Sequence, residues 1–100
     1  MNSTKWLNCS ASQGQFREEV AIQGHDFNGH DFSLFTSRQF VRWEREPTNE
    51  NEVPARLQIL LIEKRDNLCL IRLPGRTFDN GSTVTVRHDQ LVECATPEYA

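Results

Sequence analysis

An Asn-Gly pair set among alternating apolar residues occurs twice in this chain, and no other feature constrains the backbone as tightly. Phe27-Asn28-Gly29-His30-Asp31-Phe32-Ser33-Leu34-Phe35 runs on to Gln39-Phe40-Val41, and Phe78-Asp79-Asn80-Gly81-Ser82-Thr83-Val84-Thr85-Val86 runs on to Gln90-Leu91-Val92. Asn-Gly between alternating runs signals a two-residue type I′ turn, in which both central residues need positive φ. Each copy therefore reads as a strand, a turn, a returning strand and a short Gln-apolar-Val segment. The two segments define two related hairpin halves.

The rest of the pattern is also that of strands. Trp6-Leu7-Asn8-Cys9-Ser10-Ala11 predicts a first strand, ended by Ser12-Gln13-Gly14, and Phe16 to Ile22 alternates as a half-buried strand would. Gly24 to Gly29 carries turn chemistry. For Thr36 to Glu46 a single 3₁₀ turn followed by a short strand is preferred over a helix, because Gln90 to Cys94 looks like its counterpart. A polar, acidic loop bounded by Pro47 and Pro54 spans 46–54. Beyond it, Leu57 to Ile62 is apolar on both faces and predicts the most buried strand. Lys64-Arg65-Asp66-Asn67 turns the chain into Leu68–Leu73, Pro74-Gly75 breaks that strand, and His88 to Leu91 reads as one helical turn. The tail over 95–100 is expected to fray.

Six or seven short strands with regularly spaced turns predict an all-β single domain over residues 1–100, a small antiparallel barrel or sandwich. From about Ala55 to Cys94 the order of strand, turn, strand, loop, strand, helical turn and short strand resembles SH3-like barrels in outline. The likeness is architectural, and architecture alone implies no function.

Composition narrows the classes of function. The net charge of −3, with acids and bases mixed, argues against a surface built to grip phosphates. No apolar run approaches a membrane span, and the N-terminus has no apolar signal core, so a cytoplasmic location is expected. Cys9, Cys69 and Cys94 form no Cys-x-x-Cys pair, and in a reducing compartment they are read as small apolar residues of strands. No cofactor-binding motif is present.

Three sets of residues are candidates for chemistry. Trp43 among Arg38, Arg42 and Phe35 makes a mixed aromatic and cationic patch, suited to a protein or peptide partner. Arg72, Arg76 and Arg87 are the alternative patch, for nucleic acid, although such a footprint normally needs denser clustering. Each histidine precedes an aspartate, at His25-Asp26, His30-Asp31 and His88-Asp89, which raises a weak third alternative of a metal site or small enzyme with Ser33 or Cys9 as nucleophile. Adjacent strand residues face opposite ways, so neither hairpin pair can act as a unit on regular strand backbone. The leading expectation is a noncatalytic binding module for a protein or peptide partner, or for self-association through an open strand edge.

Overall fold

A computed structural model describes residues 3–14, 16–48, 51–77 and 81–93. Its strands are β1 (Ser3–Gln13), β2 (Glu19–His25), β3 (Asp31–Ser37), β4 (Val41–Trp43), β5 (Val53–Arg65), β6 (Leu68–Thr77), β7 (Gly81–Arg87) and β8 (Leu91–Glu93), with 3₁₀ turns at Arg38–Phe40 and His88–Gln90. The ladder runs β4-β5-β1-β2-β3-β6-β7, and β6 pairs back onto β5. Strands β5, β1, β2, β3 and β6 therefore close into an antiparallel barrel, while β4, β7 and β8 extend it from β5, β6 and β1. The expected all-β barrel is what forms.

The two halves are related by their registers. Val41 lies opposite Leu57 on β5, and Leu91 lies opposite Leu7 on β1, a shift of 50 residues at both partners. The β1–β5 ladder, which runs from Ser3↔Leu61 to Ala11↔Val53, maps onto itself under that shift with Leu7↔Leu57 at its centre. Val20↔Thr36 and Ile22↔Leu34 on β2 and β3 correspond to Cys69↔Val86 and Ile71↔Val84 on β6 and β7. Each 3₁₀ turn is tied in the same way: Arg38 N–H donates to Glu18 O at 3.1 Å, and His88 N–H donates to Asn67 O at 2.7 Å. The short strand after each turn does not return to its own half, since β4 pairs with β5 and β8 pairs with β1.

Several boundaries differ from expectation, each for a local reason. Leu91 rather than Gln90 begins β8, so Gln90 is the counterpart of Phe40 and the repeat is offset by one residue from the sequence match. Pro74-Gly75 does not end β6. The strand continues to Thr77 through a register slip between Arg72 and Thr77, where lost ladder bonds accommodate the proline. Pro54 lies inside β5 with an exposed side chain, and Pro47 is buried rather than exposed. Phe16 belongs to the turn before β2 and is 69% exposed. In β5, Leu57 and Ile59 are buried, but Leu60 to Ile62 are only half-buried, because a bulge between Leu61 and Glu63 swings the strand outward. The tail, Cys94 and the turn residues Phe78 to Asn80 lie outside the described residues.

Alternation sets the core. Leu7, Ile22, Leu34, Leu57, Ile71 and Val86 are almost fully buried, each contributing about 1.5–3 kcal/mol by removal from water. Phe32 lies directly opposite Gly24, and a Cβ there would sit 2.7 Å from the ring, so the glycine makes room for the aromatic ring. Thr36 is a polar exception: 6% exposed, with a hydroxyl that has no hydrogen-bond partner among the described residues, at the position where the other half carries Val86.

The Asn28-Gly29 turn is not type I′. Gly29 alone takes positive φ, at 82°, while Asn28 keeps a negative one. Gly29 N–H donates to Asp26 O at 3.0 Å, and Asp26 N–H donates to His30 O at 2.9 Å, which closes a three-residue loop with glycine in the left-handed position.

Two outcomes follow. Gly29→Val is expected to lose about 1–2 kcal/mol in urea denaturation while exposed Asn28→Val stays within about 0.5, and equal losses would contradict this turn. Thr36→Val is expected to raise stability by about 1 kcal/mol, because it removes an unsatisfied buried hydroxyl and keeps the branched shape. A lower melting temperature would show that the hydroxyl is partnered after all.

Candidate functional site

Strand parity decides where the candidate side chains go. Val41 and Trp43 face the side of Leu57 and Ala55, so Trp43 packs half-buried against the core at the barrel's end. The Arg38 guanidinium lies 5.0 Å from the centre of the Trp43 ring and pairs with Glu46. Arg42 faces the opposite side, 5.4 Å from the ring of Trp6 on β1. Phe35 stands on β3 opposite Ala21, half-buried. The structure thus joins Arg38 to Trp43 and sends Arg42 to a second aromatic.

That second aromatic is unusual. Leu7 belongs to the barrel core, so its neighbour Trp6 points to the outer face, yet Trp6 is only 5% exposed. Its indole N–H is buried and has no acceptor among the described residues. On the same face, Gln58 lies opposite Trp6, Arg56 lies opposite Asn8, and Arg42 lies opposite Arg56 across the next ladder. A cleft of about 800 Å³ opens here, with Asn8, Arg42 and Arg56 on the sheet, Trp43 and Arg45 at the end of β4, and Glu52 on the rim. Sequence reasoning found Trp43, Arg38 and Arg42. It missed Trp6, Asn8 and Arg56, although Arg56 between Ala55 and Leu57 has the outward parity of a half-buried strand.

The alternative cations are spread out. Arg72 lies opposite Thr83 and Arg87 opposite Leu68, so they share the outer face of β6–β7 with about 13 Å of strand between them. Arg76 lies within the register slip. Arg87 is engaged at short range, its Nε donating to Asp89 at 3.2 Å and its Nη1 to Phe27 O at 3.5 Å.

The histidines pair across the hairpin instead of with their sequence neighbours. His25 Nδ1 lies 2.7 Å from Asp31, and His30 Nδ1 lies 3.7 Å from Asp26, with both imidazoles well exposed. His88 opens the second 3₁₀ turn and is exposed. Among the described residues no three His, Cys, Asp or Glu side chains are grouped to hold a metal ion. Cys9 donates its thiol to Ala55 O at 3.6 Å, and burial pushes its pKa up to about 12, leaving little thiolate at neutral pH. Burial likewise raises Cys69. No helix among the described residues is long and apolar enough to cross a membrane.

Asp26 organises the hairpin tip. Its Oδ1 accepts from Asn28 N–H at 2.8 Å and from His30 N–H at 2.9 Å. Desolvation pushes its carboxyl up, but the backbone N–H groups of His30, Asn28 and Gly29 and the nearby His30 ring outweigh that and hold it below 3.8. A carboxylate with a lowered folded-state value stabilises the fold above its unfolded value and loses that contribution as pH falls through the lower one.

Comparison with protein-family models, curated proteins and solved structures finds no match for this chain.

The Asp26 geometry sets the sign of a pH effect. Wild type is expected to be more stable than Asp26→Asn above about pH 5, and to lose that advantage progressively below about pH 4. Urea midpoints measured across this range test it, and a difference that does not change with pH would exclude the carboxylate as its source.

Proposed function

We propose that this protein is a noncatalytic binding module for a protein or peptide partner, using the cleft at the end of β4. The observation that carries the reading is the combination of an open edge and a shaped cleft. β4 terminates the sheet path with its ladder on β5, so its outer edge can accept an added strand. The cleft beside that edge has an aromatic wall at Trp43, fixed by Arg38 stacked upon it, and polar groups from β1 and β5. Main-chain bonds to the edge supply affinity, and the cleft supplies selection between side chains. A second copy of the chain can occupy the same edge, which makes self-association a variant of this reading.

The nucleic-acid alternative draws less support, since its arginines lie apart on the barrel and the chain carries a net charge of −3. The metal or enzyme alternative draws less still, because His25 and His30 are exposed and each faces a carboxylate across the hairpin.

Selection from a random-peptide display library, followed by titration of the selected peptides, tests this reading. They are expected to bind the wild type and to lose about fivefold or more in affinity to Trp43→Leu, which keeps apolar packing but removes the aromatic surface. Sedimentation equilibrium of the free protein separates partner binding from self-association. No selected peptide together with a strict monomer, or affinity indifferent to Trp43→Leu, would refute the module.

A further inference from the structure

The row Arg42–Arg56–Asn8 crosses three adjacent strands on the outer face, and its central pair is costly for the fold. Directly opposed like charges destabilise a sheet, and β4 and β5 place two arginines directly opposite each other. The related half shows what the architecture alone requires at this point. Under the shift of 50 residues, Arg42↔Arg56 corresponds to Val92↔Trp6, an apolar pair in the same ladder geometry. The scaffold is therefore built equally well without charge here.

Two further observations point to an anionic ligand. Arg56 makes no ion pair among the described residues. Trp6 is buried beneath the Arg42 guanidinium, so its ring holds that cation at the surface of the sheet. The row on the sheet presents two guanidinium forks and the Asn8 amide, while Glu44 and Glu52 line the same cleft. Guanidinium forks match carboxylate geometry two bonds at a time. Stacking on Trp6 also holds Arg42 in place before any ligand arrives, which lowers the entropy lost on binding.

We propose that Arg42 and Arg56 form a receptor for a side-chain carboxylate on an acidic peptide segment, docked along β4. The proposal rests on the binding-module reading and specifies its ligand. A peptide carboxylate is favoured over a phosphodiester chain because the positive charge is a point, not a track. Glu44 and Glu52 line the cleft beside the arginines and would repel a continuous polyanion.

Fluorescence anisotropy with labelled Thr-Val peptides carrying one central Glu and, at equal length, one central Gln decides the matter. The acidic peptide is expected to bind about tenfold tighter at low salt. Arg42→Gln and Arg56→Gln should each erase that preference, Arg56→Lys should recover part of it, and Arg72→Gln should leave it intact. Melting curves establish that each variant is folded. Equal binding of the two peptides would overturn the carboxylate receptor and leave the module standing. Binding of neither would overturn both. Tighter binding of a single-stranded oligonucleotide through the same arginines would overturn the choice of ligand.

Discussion

The ladder between β1 and β5 is the interaction on which the rest of the molecule depends. Its centre, Leu7 opposite Leu57, is completely buried, and both flanking strands, β4 and β8, are built outward from that centre. β1 carries β5 on one edge and β2 and β8 on the other, while β5 carries β1 on one edge and β4 and β6 on the other. Closure of the barrel, placement of both 3₁₀ turns and the row of side chains on the outer face all follow from one antiparallel register. A slip by a single residue would turn Leu7 and Leu57 outward and Trp6 and Arg56 inward.

Much of this fold is legible in the chain. The parity of Phe32 and Leu34, the 3₁₀ turn before each short strand and the outward setting of Arg42 against Trp43 all follow from alternation and turn chemistry. What is not legible is long-range. No local pattern shows that the segment after each 3₁₀ turn joins the opposite half, since Val41 finds Leu57 beyond the intervening loop and Leu91 finds Leu7 near the other end of the described chain. Turn chemistry also misleads where tertiary structure outweighs it. Pro74-Gly75 looks like a strand end but falls where the β6–β7 ladder slips, and Asn28-Gly29 looks like a type I′ turn but is reshaped by the Asp26 carboxylate holding two backbone N–H groups.

The site was partly legible for the same reason. Arg38, Arg42 and Trp43 are close in sequence, so spacing reveals them. Trp6 and Arg56 reach Arg42 only through β-pairing, and neither carries a local motif. Comparison between the halves gives what spacing cannot: where equivalent backbone positions hold Val92 and Trp6 in one half and Arg42 and Arg56 in the other, the chemistry that differs is chemistry the scaffold does not require.

The exchange of short strands also governs the order in which the molecule can assemble. While a ribosome is still extending the chain, β1 has emerged without β5, and later with β5 but without β8, so its edges stay unsatisfied until the second half has emerged. The first half therefore gains little from folding early, and contacts of such long sequence separation form slowly because chain entropy is lost before burial repays it. The growing chain must keep its apolar strands from other exposed edges during that interval. The charged and β-breaking residues of the connection between β4 and β5 keep that stretch from extending either edge while the second half arrives.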